Sequence, residues 1–378
     1  MTIVSGFFRH FSAVVPVFDC TKRGIPLTTR RFALLLVLVL TCSVAVQAQT
    51  LPTSVQGADC FKTRFNERFD GHDPFNAYLL MLACYYSYEN RMYVKDFEEF
   101  KTKFQEIFKP LGMTGFDFIN LRKKTGDTQV MIMSNDKLVI VVFRGSESSS
   151  GGSFSPVKVM YDWILTDFNF FKKHVSIWGS DVKVHRGFWN ALDIVYPRLK
   201  AFINDHLASG DKKLWITGHS LGAGVAPLAA YRLAFDGIPV QGVYTYAGPR
   251  VGNDAFVDVF KERFPYNQRY VFDHDIVPML PYSWMNYKHT SRPNNIYETG
   301  KIIIQDTPFT GKGKVPSHFP GVYLQKLYDT LSSDQKRLLP APPALQAMDY
   351  VPDPALENMF NAERARRPLF HTMGEEDD

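Results

Sequence analysis

Residues 214–235 constrain the fold more tightly than any other stretch of the chain. An apolar run, Leu214–Thr217, meets Gly218-His219-Ser220-Leu221-Gly222, and an amphipathic pattern continues through Phe235. The run predicts a short buried strand and the pattern a helix over 220–235. The chain must therefore turn sharply, with a serine at the apex. Glycines flank that serine because side chains at 218 and 222 would collide with the neighbouring strand and helix. Such a turn lifts the Ser220 hydroxyl above the sheet. It also puts it at a helix N-terminus, where developing negative charge is favoured. A serine N-cap on a glycine-rich turn would satisfy the same five letters, so the surrounding sequence has to decide.

The surroundings read as α/β. Strands are expected at Gln129–Met133 and Leu138–Phe143, joined by Ser134–Lys137, and the second is apolar throughout, as in a strand covered on both faces. A long helical pattern spans about Gly187–Leu207, with Pro197 as a possible kink site. After the serine motif come a strand at Gly242–Ala247, a helix at 253–263, strands at Gln268–Asp273 and Lys301–Gln305, and a closing helix at His318–Leu331. This alternation predicts a mainly parallel sheet flanked by helices in one catalytic domain over 49–331. Upstream, Asp73 should cap a helix at Pro74–Tyr86, with proline at its first position. The stripe Phe97, Phe100, Phe104, Phe108 reads as core packing rather than a ligand site. From Ser332 the chain turns Pro-rich and ends Gly374-Glu-Glu-Asp-Asp, which reads as a loosely ordered tail over 332–378.

The net charge of +5 is concentrated at the start of the chain. Residues 1–48 hold Arg9, Lys22, Arg23, Arg30 and Arg31 against Asp19, so the remainder is nearly neutral and does not suggest a nucleic-acid binder. Arg30-Arg31, the apolar run Phe32–Leu40 and the small-residue site Val46-Gln47-Ala48 follow the order of a secretory signal, with Gln49 as the new terminus. An uncleaved membrane anchor is the alternative. Export would leave Cys60 and Cys84 in an oxidising compartment, either as one disulfide or as two buried free thiols. No cysteine spacing suggests a metal site, and the chemistry implied by the serine motif needs no cofactor.

Four further features make the reading specific. Gly218–Gly222 is followed by Tyr244-Thr-Tyr-Ala-Gly-Pro-Arg-Val-Gly-Asn253. Val142-Phe-Arg-Gly-Ser146, Val184-His-Arg-Gly-Phe188 and Asp275-Ile-Val-Pro-Met-Leu-Pro281 complete the set. In this order, over about residues 70–330, they resemble the class 3 lipase family. The resemblance implies an α/β-hydrolase fold with Ser220 as nucleophile, Asp275 as acid and His318, in Ser317-His-Phe-Pro-Gly-Val-Tyr-Leu324, as general base. It also implies an oxyanion hole formed by the backbone N–H groups of Leu221 and Ser146. Asp273 competes with Asp275 by position, but Asp275 stands just beyond the strand and precedes Ile-Val-Pro, as in the family. His289 follows the acid too closely, and His371 lies in the tail. His185 and His219 are expected to pack or hydrogen-bond rather than react.

In the family a short helical lid occupies the segment that runs here from Glu147 to Asp162. Ser148–Ser155 is flexible by composition, while Phe154, Val157, Met160, Tyr161 and the adjoining Trp163 supply apolar surface. A solvent-exposed insertion without a gating role fits the same composition. The partner implied is a lipid or ester substrate, and a lipid–water interface is one place where it would be met. Three readings follow: a lipase or phospholipase A1-like enzyme, an esterase on soluble or feruloyl-type esters, and a lipid- or partner-binding scaffold without catalysis.

Overall fold

The computed structural model describes residues 59–68, 71–88, 94–123, 126–145, 171–265, 267–272, 275–304 and 315–343. Within them an eight-stranded sheet has the order β1-β2-β3-β6-β7-β8-β9-β10. The strands are β1 (Gly115–Lys123), β2 (Gly126–Ser134), β3 (Leu138–Phe143), β6 (Lys213–His219), β7 (Gly242–Tyr246), β8 (Gln268–Phe272), β9 (Pro293–Ile296) and β10 (Ile302–Ile304). From β3 to β9 all neighbours run parallel; β1, β2 and β10 add antiparallel edges. A separate ribbon pairs β4 (Lys172–His174) with β5 (Lys183–His185).

The sheet separates two apolar layers because side chains alternate along each strand. On β3, Leu138, Ile140 and Val142 enter one layer, and Val139, Val141 and Phe143 the other. Such a strand must be apolar at every position, as its sequence is. The first layer is covered by α1 (Cys60–Thr63), α2 (Pro74–Tyr86), α3 (Phe97–Phe108) and α7 (Pro320–Asp329). The second is covered by α4 (Arg186–Leu207), α5 (Leu221–Phe235) and α6 (Asp254–Arg263). Asp73 caps α2 by accepting from Phe75 N at 2.8 Å and Asn76 N at 3.0 Å. The phenylalanine stripe of α3 is core: Phe100, Phe104 and Phe108 are fully buried, and the first two meet the Phe118 ring edge-on at 6.1 and 5.7 Å. Each such ring contributes on the order of 1.5–3 kcal/mol by burial. Helix α4 runs unbroken through Pro197. No described helix is long and apolar enough to cross a membrane.

Strand β1 is an addition to the expected elements, two expectations are corrected and one open alternative is decided. Strand β1 was not anticipated, because Asp117 and Asn120 interrupt its apolar residues. Its alternation is nevertheless regular, with Phe116 and Phe118 packing on one layer and Ile119 and Leu121 on the other. The closing helix begins at Pro320 rather than His318. A residue before proline is pushed out of the α region, and Phe319 is extended at φ −65°, ψ 140°. The segment after Ser332 does not start loosely: α8 (Ser333–Leu338) carries a capping box between Ser332 and Gln335, and Leu339 is buried. Finally, Cys60 and Cys84 are free and buried. The Cys60 thiol donates to Leu338 O at 3.0 Å, whereas Cys84 Sγ lies 3.4 Å from Thr217 Oγ1 beneath β6. The segment 1–48 expected to be a signal, the 147–162 segment and residues 344–378 lie outside the described residues.

Burial pushes the Cys60 thiol up to about 11 and the Cys84 thiol to about 12, so neither forms a reactive thiolate at neutral pH. Protein beginning at Gln49 should therefore react slowly with a thiol reagent when native and release two thiols per chain when unfolded without reductant. Recovery of none would restore the disulfide.

Candidate active site

The site is built where the parallel strands end. Strand β6 leads through His219 to Ser220, and α5 starts at Leu221. Ser220 sits at φ 61°, ψ −125°, one of few non-glycine residues with positive φ among those described. Such a conformation costs on the order of 1–3 kcal/mol and persists only when its surroundings enforce it. They do so by contact. A β-carbon on Gly218 would fall 2.4 Å from the Gly222 carbonyl carbon, and one on Gly222 would fall 2.0 Å from Phe143 O. The Ser220 N–H donates to Tyr246 O at 3.0 Å, fastening the turn to β7.

His318 stands in the one-turn 3₁₀ helix Val315–His318 that precedes α7. Its Nε2 lies 2.9 Å from Ser220 Oγ, and its Nδ1 lies 3.1 and 3.0 Å from the two carboxylate oxygens of Asp275. The carboxylate accepts, so the proton belongs on Nδ1 and Nε2 is left to accept from the serine hydroxyl. Asp275 is fully buried just beyond β8. Its Oδ1 also accepts from Val277 N at 2.9 Å, and its Oδ2 from the Tyr323 hydroxyl at 2.7 Å. Tyr323 in turn accepts from Phe272 N at 2.9 Å, so one phenol joins α7, the end of β8 and the carboxylate. Burial, reinforced by Asp275, raises the phenol well above its ordinary range and keeps it a donor.

Leu221 is the first residue of α5, and its N–H has no acceptor within the helix, as an oxyanion donor requires. Ser146 lies outside the described residues, as do Asp273 and the residues proposed for a lid, Phe154, Val157, Met160, Tyr161 and Trp163. The structure thus brings Ser220, Asp275, His318 and Leu221 together.

Comparison with known proteins points to lipases. The family model for lipase (class 3) matches residues 140–284. Over this region the chain is similar to the class 3 lipase family. It is 39% identical over 131 residues to a secreted mono- and diacylglycerol lipase 1 of Fusarium solani, covering 34% of this chain and 38% of that protein. It is 30% identical over 192 residues to a secreted mono- and diacylglycerol lipase A of Penicillium cyclopium, covering 48% and 58%. The chain thus spans about half the length of these curated relatives. A crystal structure of fungal lipases aligns with a TM-score of 0.51 at 24% identity, covering 68% of this chain and 97% of that one, and shows the shared fold.

The other family motifs act as braces. Arg250 donates its backbone N–H to Leu280 O at 2.7 Å, and its guanidinium to Met279 O and to Pro281 O, the latter at 2.8 Å. This arginine thereby holds the loop that follows Asp275. Asn253 Oδ1 accepts from Lys183 N at 2.9 Å and caps α6 at Phe256 N, while its Nδ2 donates to Asp181 O. His185 caps α4 by accepting from Phe188 N, and burial pushes its pKa down to about 3, which suits a neutral acceptor. His289 donates to Pro278 O at 2.8 Å; burial and the nearby Arg269 and Arg250 keep it well below the usual histidine range.

A second Ser-His-Asp set lies elsewhere. Ser134 Oγ is 2.7 Å from His206 Nδ1, and His206 Nε2 is 3.1 Å from Asp117 Oδ2. Ser134 is buried in the β1–β2 ladder, where a β-carbon on Gly115 would meet its Oγ at 2.5 Å. This set fastens the end of α4 to the sheet and has no strained turn beneath its serine.

Sequence reading did not assign the brace at Arg250 or the Tyr323–Asp275 bond. Both join residues far apart in sequence, and neither residue type has a periodic signature. Tyr323→Phe should lower the unfolding free energy by about 1–3 kcal/mol, since two interior groups lose a partner while the ring packing stays. Urea denaturation checks this; an unchanged midpoint would show that Asp275 does not depend on the phenol.

Proposed function

We propose that this protein is a serine carboxylic ester hydrolase acting on the acyl esters of lipids, triacylglycerol or phospholipid. Ser220 is the nucleophile, His318 the general base and acid, and Asp275 the group that orients His318. The observation that carries the reading is the hydrogen-bond line from Asp275 through His318 to Ser220 at the apex of a strained strand-to-helix turn. The match to the lipase (class 3) family model and the names of the relatives, mono- and diacylglycerol lipases, support the substrate class.

The chemistry follows from the geometry. Ser220 Oγ attacks the ester carbonyl carbon as His318 Nε2 takes its proton, and Asp275 stabilises the resulting imidazolium without accepting that proton. The tetrahedral oxyanion is held by the Leu221 N–H at the head of α5 and, by family resemblance, by Ser146. Collapse expels the alcohol, protonated by His318, and leaves an acyl-enzyme. Water, activated by the same imidazole, attacks the acyl carbonyl and releases the fatty acid and Ser220.

Hydrolysis of p-nitrophenyl esters of increasing acyl length, below and above their solubility limits, tests this reading. The wild type should cleave them, preferring longer chains and gaining from an interface. Ser220→Ala should lose about 10⁴- to 10⁶-fold in kcat. Activity confined to short soluble esters would indicate an esterase. A folded but inactive wild type, on phospholipid as well, would indicate a binding scaffold.

Export belongs to the same proposal. The basic, apolar and small-residue order of residues 30–48 supports it, as do the relatives named as secreted. Amino-terminal sequencing of protein recovered from the medium should read from Gln49. Retention in the membrane fraction with residues 1–48 intact would favour an uncleaved anchor.

A further inference from the structure

We infer that His219, held by Tyr88, is a positioning residue that fixes His318 for proton transfer with Ser220; the inference rests on the triad reading above. His219 Nε2 lies 2.9 Å from the backbone carbonyl oxygen of His318. A carbonyl only accepts, so Nε2 carries the hydrogen. The Tyr88 hydroxyl lies 2.8 Å from His219 Nδ1, and toward the neutral ring it is the donor. The order of donation is therefore Tyr88 to His219 to His318.

Each member is confined. Tyr88 is buried at the end of α2, and a β-carbon on Gly145 would fall 2.1 Å from its oxygen, so the phenol is wedged beside the chain leaving β3. The His219 ring lies against that of His318, with centroids 5.0 Å apart and planes 33° apart. It also meets the Tyr323 ring edge-on at 5.7 Å. Both histidines are buried.

The base needs such support because of where it stands. His318 ends a single 3₁₀ turn and is followed by an extended Phe319, so no α-helical ladder secures its backbone. Its ring must nevertheless stay within hydrogen-bond distance of groups on two other elements, Ser220 and Asp275. The His219–His318 bond ties the segment carrying the base to the residue adjoining the nucleophile. Base and nucleophile then shift together, and their separation is conserved.

The test compares the full chain with His219→Phe, His219→Gln, Tyr88→Phe and Ser220→Ala on a soluble p-nitrophenyl ester. Phenylalanine keeps a ring and removes the donor; glutamine returns an amide N–H near the Nε2 position. His219→Phe should lower kcat about ten- to hundredfold with KM nearly unchanged, as expected of a misplaced base. His219→Gln should recover most of that loss, and Tyr88→Phe should fall between them. The low-field Nδ1 proton of His318 in the NMR spectrum should shift or broaden in His219→Phe and Tyr88→Phe and return in His219→Gln. Wild-type kcat in His219→Phe, or equal loss in the Phe and Gln variants, would overturn the inference. Should His219→Phe fail to fold, Tyr88→Phe decides: an unchanged kcat and an unchanged His318 proton overturn it. Equal hydrolysis by Ser220→Ala and wild type would instead remove the triad reading, and this inference with it.

Discussion

The close approach of α5 to the sheet governs the rest of the site. Backbone meets backbone there, since a β-carbon on Gly222 would stand 2.0 Å from Phe143 O; on the same helix, one on Gly224 would stand only 2.8 Å from the Phe188 ring of α4. Almost every residue of α5 from Leu221 to Ala234 is buried, so the apolar area it covers holds the helix down. A helix seated that low leaves no room for a relaxed connection from β6. Ser220 absorbs the mismatch in its positive φ, and the Tyr246 carbonyl receives its N–H. The strain is small beside the burial that imposes it, and it sets the hydroxyl and the Leu221 N–H at the head of one helix.

The Asp275 carboxylate and the His318 imidazole reach that point differently. Asp275 stands beyond the end of β8 and His318 before α7, both in short turns. Loops at the carboxyl ends of parallel strands are where an α/β sheet gathers ligand-binding groups. Their precision must come from hydrogen bonds rather than from regular structure. Arg250 closes on Met279, Leu280 and Pro281, and Tyr323 joins Phe272 N to Asp275, so the carboxylate is fixed from both sides. The motifs that carry the family resemblance around 244–253 and 275–281 are thereby explained: they are the two halves of one brace.

What could be read in the sequence follows from this division. Elements set by burial were legible, because burial leaves a period. The apolar run of β3, the phenylalanine stripe of α3, the Asp73 cap and the strand–serine–helix unit all appear at or near their expected positions. Elements set by single hydrogen bonds were not. The ribbon β4–β5 has three residues per strand, too few to show a period. The turn holding His318 is decided by Phe319 preceding a proline, a rule that a helical pattern over 318–331 conceals. Serine 220, Asp275 and His318 were named through motif order, while the contacts of Tyr88, Tyr323 and Arg250 emerge only when distant segments meet.

The free cysteines point to the element that links these parts. With no disulfide between Cys60 and Cys84, both ends of the described domain are secured by hydrogen bonds around the buried helix α2. The Cys60 thiol reaches Leu338 O, Tyr78 donates to Pro340 O, and Phe61 N donates to Leu111 O. Helix α2 is apolar on all sides, as a helix enclosed by other elements has to be. Its far end carries Tyr88 to His219, and its last turn sets Cys84 beside Thr217 on the strand that leads to Ser220. One central helix thus supports both ends of the described domain along its length and the strand leading to Ser220 at its tip. The α8 segment belongs to that support, which is why the ordered chain continues past Ser332 although its composition suggests a tail.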